Sequence, residues 1–215
     1  MATTPPGSPD SASGLSNRGL NNRGLSNKIF GLGLARTGTT SLHHAMEILG
    51  FRSAPDSVPL LDSIDVDFLR AHDAFFDNPI PFRYEALDSV CPDSRWIVTQ
   101  RPVQDWLRSM RWLFGPGLDR LDPATRVTGD RVHREVYGSA EFDEDRLRAL
   151  YHDHYNKLAG WVPDRQAVWI HVDEGGLAWE PICELLSLPV PTVDFPHSNP
   201  RGWRRPSLRR TTQPK

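Results

Sequence analysis

Glycine and hydroxyl-bearing residues surround a single arginine between positions 33 and 41, in the segment Gly33-Leu-Ala-Arg-Thr-Gly-Thr-Thr-Ser41. A short apolar run, residues 28–32, precedes this segment, and an apolar stripe with helical spacing follows it. The first N–H groups of a helix have no internal partners and lie at the positive end of its dipole, so a glycine loop that enters a helix suits an anion. Arginine adds a permanent cation. We therefore expect a phosphate or sulfate group to be bound by Arg36, Thr37, Gly38, Thr39, Thr40 and Ser41.

The spacing of this loop departs from two familiar nucleotide-binding patterns. Gly33 and Gly38 have the separation found in G-x-x-x-x-G-K-[ST], but Thr39 stands where that pattern requires lysine. The dinucleotide pattern G-x-G-x-x-G fails because its last glycine is replaced by Arg36. A tight glycine turn whose threonines cap a helix remains the alternative interpretation.

A second arginine could bind another anionic group at the same edge of the sheet. Residues 95–99 predict a strand, Arg101 follows its end, and Ser109 lies eight residues further on in a predicted helix. Ligands of open α/β sheets bind at the carboxyl ends of the strands, so we expect Arg101 beside the glycine loop. Arg101 and Ser109 together could hold a second phosphate. The alternatives are a surface salt bridge for Arg101 and an ordinary helix position for Ser109.

Three residues are candidates for accepting a proton. Asp77 ends a predicted strand, residues 73–77, just before Asn-Pro, and a carboxylate at a strand end could act as a general base. An Asp that caps a turn is the alternative. His43 and His44 are rival bases just inside the first helix, where a solvated histidine is the alternative for each.

The elements that position these residues alternate along the chain. This alternation predicts an α/β fold, a three-layer sandwich with a central, mainly parallel sheet. Residues 114–143 are expected to be irregular, as in a lid, a binding loop or an insertion. With residues 51–72 they are expected to shape a substrate pocket. The predicted strands are 28–32, 73–77, 95–99 and 167–172, and the predicted helices begin near 42, 102, 147 and 181.

Composition suggests one domain, residues 28–200, between two tails. Residues 1–27 are rich in Pro, Ser, Gly and Asn and predict a disordered, low-complexity tail, and residues 201–215 are basic. The net charge is −2, yet residues 29–200 carry −10, which disfavours nucleic acid as a partner. No apolar run approaches the roughly 20 residues of a membrane span.

Two cysteines, Cys91 and Cys183, are too few for a disulfide scaffold or a cysteine-rich metal site. They fit a reducing compartment, and we expect a cytoplasmic location. The N-terminus also lacks the basic and apolar regions of a secretory signal. The sequence leaves the oligomeric state open, a homodimer included.

Three segments in order resemble sulfotransferases. Residues 30–42 resemble the loop that binds the 5′-phosphosulfate, and residues 96–109 resemble the element that binds the 3′-phosphate. Residues 179–199 are similar to the C-terminal segment of small soluble members. The similarity covers about residues 28–200 and implies a P-loop NTPase-like sulfotransferase fold. It also implies transfer of a sulfuryl group from 3′-phosphoadenosine 5′-phosphosulfate (PAPS) to a hydroxyl or amine of a small-molecule or carbohydrate acceptor.

The resemblance also implies roles for individual residues. The loop from Thr37 to Ser41 would hold the 5′-phosphosulfate, and Arg101 with Ser109 would hold the 3′-phosphate. Arg36 would stabilise charge on the leaving oxygen, so that no metal is required. Many members have lysine at this position; arginine keeps its proton, which supports charge stabilisation there and not proton donation. Similar members also carry an Asp before a Pro in the segment that contains Asp77.

Two other functions remain open at this stage. A P-loop kinase or nucleotide hydrolase would use Asp77 to bind magnesium, but this sequence lacks the lysine that such enzymes carry after the glycine corresponding to Gly38. A non-catalytic anion-binding scaffold protein would use its tails to bind partners.

Overall fold

A computed structural model describes residues 24–173 and 176–197. The described strands form one parallel sheet in the order β2-β1-β3-β4. The second strand therefore lies on one side of β1, and the third strand lies on the other side. Ligands of open parallel sheets bind at the carboxyl ends of the strands where the order reverses. The strands are β1 (Ile29–Gly31), β2 (Ala74–Phe75), β3 (Arg95–Gln100) and β4 (Ala167–His171).

Helices connect these strands and cover both faces of the sheet. Short 3₁₀ helices occupy Val58–Leu60, Ile80–Phe82, Leu118–Arg120 and Val162–Asp164, and a π-helical turn occupies Leu113–Gly117. The α-helices are α1 (Thr39–Ile48), α2 (Val66–Ala71), α3 (Tyr84–Val90), α4 (Val103–Trp112), α5 (Pro123–Tyr137), α6 (Glu144–Trp161) and α7 (Trp179–Leu186).

The side chains of successive β1 residues point to opposite faces of the sheet, and the core has one layer on each face. Ile29 packs in a cluster with residues of α1 and α7, such as Met46 and Ile182. Phe30, the next residue, packs on the opposite face in a cluster with residues of α3, α4 and α6, such as Trp106. Successive side chains of a strand point to opposite faces, so both faces of β1 are buried. The predicted α/β sandwich with a parallel central sheet is confirmed.

The prediction that residues 114–143 are irregular is wrong, because they contain the 15-residue helix α5. Asp122 caps its N-terminus by accepting hydrogen bonds from the backbone N–H groups of residues 124 and 125, and Pro123 is its first residue. Gly138, with φ +76°, ends it. Only Val132, His133 and Tyr137 of this helix are buried, so its apolar stripe is too thin to stand out in the sequence.

Several boundaries also differ from the predictions. Leu25 is fully buried in the core and the Asn27 N–H donates to the carbonyl of Pro92, so the ordered chain begins before residue 28. The rest of the predicted N-terminal tail, and the basic tail at 201–215, lie outside the described residues. Pro102 is the N-cap of α4 and not its first residue, and α7 begins two residues before Pro181.

In the two described stretches, 24–173 and 176–197, every helix is too short or too polar to cross a bilayer.

Candidate functional site

The loop that links β1 to α1 makes a close turn that depends on two glycines. A Cβ atom on Gly33 would overlap the side chain of Thr99 on β3. Gly38 caps α1 with φ +101°, a left-handed conformation that favours glycine. Thr39 therefore begins α1 close to the carboxyl end of β1. A helix N-terminus presents N–H groups at the positive end of the helix dipole, and such groups can donate to an anionic ligand.

A cavity of about 380 Å³ opens at this helix end. Its volume lies within the range of about 300–1,000 Å³ that is usual for small-molecule sites. The helix N-terminus and two arginines give it positive potential inside a negatively charged domain. It is lined by Arg36, Gly38, Thr39, Thr40, Ser41, Arg101, Val172, Gly176, Leu177 and His197.

The backbone of Arg36, within the loop, has a left-handed conformation, with φ +72°. Its guanidinium lies over the ring of Trp112, 5.1 Å from the centroid, and its Nε donates a 3.0 Å hydrogen bond to Ser109 Oγ. Burial lowers the pKa of Arg36, the nearby Asp77 carboxylate raises it, and Arg101 lowers it. Arginine stays protonated under these influences, so the group remains a fixed cation at the cavity.

Arg101 follows β3 and lies on the same cavity wall as the glycine loop, on the predicted edge of the sheet. Its Nη1 donates a 3.1 Å hydrogen bond to the carbonyl of Arg36, and its own carbonyl accepts one of 2.6 Å from the Tyr151 hydroxyl. Ser109 is placed differently: it contacts the Arg36 side chain and is not among the residues that line the described cavity. The structure thus brings Arg101 to the loop but does not place Ser109 beside Arg101 in the cavity.

The hydroxyl groups of the loop have different surroundings. The Thr37 side chain is buried; its hydroxyl donates to the Leu34 carbonyl at 2.7 Å and forms a 2.7 Å hydrogen bond with Thr99 Oγ1 on β3. This side chain ties the loop to the sheet, whereas Thr39, Thr40 and Ser41 line the cavity.

Asp77 lies just beyond the carboxyl end of β2, in a left-handed conformation with φ +67°. Its Oδ2 accepts a 3.1 Å hydrogen bond from the Thr39 hydroxyl, and its Oδ1 accepts one of 2.8 Å from the backbone N–H of Asn78. Burial raises the pKa of the Asp77 carboxyl, while these two hydrogen bonds and the charge of Arg36 lower it. The Asp77 side chain therefore contacts the first residue of α1, within the electrostatic influence of Arg36.

The helix α5 contacts the residue after Asp77 through Tyr137. The Tyr137 side chain is buried, and its hydroxyl exchanges hydrogen bonds of 3.1 and 3.3 Å with the side-chain amide of Asn78. Burial raises the pKa of Tyr137, and the negative charge of Asp77 raises it further. The end of α5 therefore supports the turn that carries Asp77.

The two histidines considered as bases are directed elsewhere. His43 Nδ1 forms a 2.8 Å hydrogen bond with Ser53 Oγ, and His44 Nδ1 forms one of 3.0 Å with Glu47 Oε2. Neither histidine is among the residues that line the described cavity. Asp77 does not line this cavity either, but its Oδ2 accepts a hydrogen bond from Thr39, which does, and this contact favours Asp77 among the three candidates.

Leu177 and His197 also line the cavity, and the sequence analysis assigned neither to it. Leu177 lies against Gly38, where a Cβ atom would be 2.5 Å from Leu177 Cδ1. His197 is exposed at the cavity and belongs to the C-terminal segment that resembles sulfotransferases, which was the available signal for its position. The segment after β4 therefore completes the cavity wall.

A parallel sheet flanked by helices, with a glycine loop that enters a helix at its carboxyl edge, defines an α/β protein with a P-loop-like architecture. The sequence model of the sulfotransferase domain family matches residues 28–63 and 61–203, and the chain belongs to this family. A curated relative, "Ava biosynthesis cluster protein M" from Aspergillus versicolor, is 29% identical in an alignment 211 positions long that spans 79% of this chain and 80% of the relative.

Proposed function

We propose that this protein transfers a sulfuryl group from PAPS to a hydroxyl or amine of an acceptor. The observation that carries the proposal is the single cavity at which the N-terminus of α1, Arg36 and Arg101 meet. PAPS carries anionic groups at the 5′ and 3′ positions of its ribose, and a cavity with two guanidinium groups at a helix N-terminus suits such a ligand. Sulfotransferases generally use this donor, so the family supports the same choice.

In this proposal the two ends of the donor have different partners. The N–H and hydroxyl groups from Gly38 to Ser41 hold the 5′-phosphosulfate, and Arg101 binds the 3′-phosphate. Thr37 stabilises the same loop through the hydrogen bond between its buried hydroxyl and that of Thr99. Ser109 acts on the donor through Arg36, which it orients by accepting the hydrogen bond from Nε, and it would reach the 3′-phosphate only after that contact opens.

The transfer breaks the S–O bond to the bridging oxygen and forms a new S–O bond with a hydroxyl acceptor or an S–N bond with an amine. The acceptor oxygen or nitrogen attacks sulfur in line with the bridging oxygen, and the bond from sulfur to that oxygen breaks. The electron pair stays on the bridging oxygen of the departing 5′-phosphate, where Arg36 and the helix N-terminus stabilise the negative charge. The acceptor proton passes to the Asp77 carboxylate. Fixed cations supply the charge stabilisation, so the proposed step needs no metal ion.

The acceptor is proposed to be a small molecule or a carbohydrate. The name of the curated relative assigns that protein to a biosynthesis cluster, which favours a small metabolite. Trp112 lies beside Arg36, and α5 lies beside the Asp77 turn through Tyr137. We therefore propose that residues 114–143 border the acceptor. Residues 51–72 are proposed to border it as well, because Ser57 donates a hydrogen bond to the carbonyl of Phe76, which precedes Asp77.

A reducing, cytoplasmic location is proposed with this activity. Cys91 and Cys183 are both buried and are not joined in a disulfide. Two unpaired cysteine thiols among the described residues support a location in a compartment that keeps thiols reduced.

Thermal unfolding in the presence of nucleotides tests the donor. Adenosine 3′,5′-bisphosphate, the product left by PAPS, is expected to raise the unfolding temperature, because a ligand that binds only the folded state stabilises it. At 100 times its dissociation constant the stabilisation is about 2.7 kcal/mol. ATP with magnesium is the comparison, because the Thr39–Asp77 contact resembles the hydroxyl and carboxylate that hold magnesium in P-loop enzymes. Stabilisation by ATP with magnesium and not by the bisphosphate would favour phosphoryl transfer instead.

A further inference from the structure

A cluster of three potential metal ligands lies on the second and third turns of α1. His43, His44 and Glu47 converge there, and one ligand atom from each lies within 4.8 Å of the other two. His43 Nε2 is 3.7 Å from Glu47 Oε1, and His44 Nδ1 is 3.0 Å from Glu47 Oε2. Residues three and four apart on a helix are neighbours on its surface, so Glu47 can reach both histidines.

These distances match the spacing of ligands around a zinc ion. Zinc binds imidazole nitrogen and carboxylate oxygen at about 2.0–2.2 Å, and it prefers tetrahedral geometry. Two ligand atoms of such a tetrahedron lie about 3.4 Å apart, as follows from those bond lengths. The two separations in the cluster, 3.7 Å from His43 Nε2 to Glu47 Oε1 and 3.0 Å from His44 Nδ1 to Glu47 Oε2, lie on either side of this value.

A contact outside the cluster holds one ligand in the required orientation. His43 Nδ1 forms a 2.8 Å hydrogen bond with Ser53 Oγ, which leaves Nε2 as the nitrogen that faces Glu47. Histidines that bind metals usually have their second ring nitrogen fixed in this way by a hydrogen-bonding neighbour. The His43 side chain is only 17% exposed, so its position is also restricted by packing.

We propose that His43 Nε2, His44 Nδ1 and Glu47 bind a Zn²⁺ ion on the outer face of α1, with water as the fourth ligand. Two neutral imidazoles and a carboxylate form a donor set that zinc accepts. The side chains of His44 and Glu47 are 46% and 52% exposed, so the ion can enter from solvent. The three residues do not line the described donor cavity. This proposal is therefore independent of the transfer reaction.

Zinc competition measures the site directly. The full chain, freed of any affinity tag and of metal, is mixed with a chromophoric zinc chelator and titrated with Zn²⁺. The wild-type protein is expected to take one equivalent from the chelator. His44→Ala and Glu47→Gln each remove a ligand and are expected to lose that equivalent. Ser53→Ala is expected to weaken zinc binding about 10- to 100-fold, because it frees the His43 ring.

His152→Ala is the matched control, because His152 is an exposed histidine on α6 outside the cluster. This variant is expected to bind zinc as the wild type does. His44 and Glu47 are exposed, so their variants should fold, and circular dichroism checks this. The proposal is overturned if the wild type takes no zinc from the chelator. It is also overturned if the folded Glu47→Gln and His44→Ala variants bind zinc as tightly as the His152→Ala control.

Discussion

Replacing Arg101 with alanine should weaken binding of the donor's 3′-phosphate and leave binding of its 5′-phosphate little changed. The Arg101 guanidinium lines the cavity, and within the protein its Nη1 makes a single hydrogen bond, to the Arg36 carbonyl, among the described contacts. It therefore retains donors for a ligand phosphate. Hydrogen bonds to charged groups contribute about 1.5–3 kcal/mol, and a factor of ten at 25 °C corresponds to about 1.36 kcal/mol. Arg101→Ala should thus weaken adenosine 3′,5′-bisphosphate about 10- to 150-fold.

Titration calorimetry on two nucleotides measures this loss. Adenosine 5′-monophosphate has no 3′-phosphate, so Arg101→Ala should change its affinity little. Arg108→Ala is the control, since Arg108 is an exposed arginine on α4 whose partner is Asp105. This control should bind both nucleotides as the wild type does. An equal loss for the monophosphate and the bisphosphate in a folded Arg101→Ala variant would refute a role for Arg101 at the 3′-phosphate.

Three further substitutions test the surroundings of the cavity. Asp77→Asn should lower turnover about 10²–10⁴-fold with little change in bisphosphate affinity. The wild-type rate should rise with pH through a pKa that burial raises, and this rise should be absent in the variant; an unchanged pH–rate profile would argue against Asp77 as the base. Tyr137→Phe removes the hydrogen bonds between the Tyr137 hydroxyl and the half-buried Asn78 amide and should reduce the free energy of unfolding by about 0.5–1.5 kcal/mol, as urea denaturation can measure; no change would argue against this support. Gly33→Ala should destabilise the protein because of its overlap with Thr99, whereas Gly160→Ala, a helical position with open space, should stabilise it by up to about 1 kcal/mol; equal effects would contradict the packing of the loop.

The sequence was sufficient to predict the edge at which the site forms. Glycine and proline mark the ends of the apolar runs, and strands that alternate with helices form parallel sheets. In a parallel sheet the carboxyl ends of the strands share one edge, so Arg101 had to emerge beside the loop that ends at Gly38. This inference needed no knowledge of individual side-chain contacts.

The contacts that shape the site could not be predicted in the same way. The Thr39–Asp77 hydrogen bond joins residues 38 positions apart, and the Arg36–Ser109 bond joins residues 73 positions apart. Such pairs depend on the crossing of elements and on side-chain rotamers, which no local pattern encodes. The spacing of Ser109 from Arg101 predicts that Ser109 binds the 3′-phosphate. In the structure the Ser109 hydroxyl instead accepts a hydrogen bond from Arg36 Nε.

The helix α5 was missed for a different reason. Periodicity reveals a helix through its buried stripe, and this helix buries few residues. Its capping residues were the stronger signal: Asp122 before Pro123 at the start, and Gly138 at the end. In a helix that lies largely on the surface, the residues at its two ends therefore indicate its bounds better than its buried stripe does.

A crystal structure with bound adenosine 3′,5′-bisphosphate would show whether the described cavity is the donor site. The 5′-phosphate should accept hydrogen bonds from the backbone N–H groups between Gly38 and Ser41, and the 3′-phosphate should contact the Arg101 guanidinium. A nucleotide bound away from α1, or one whose 3′-phosphate lies far from Arg101, would contradict the proposed arrangement.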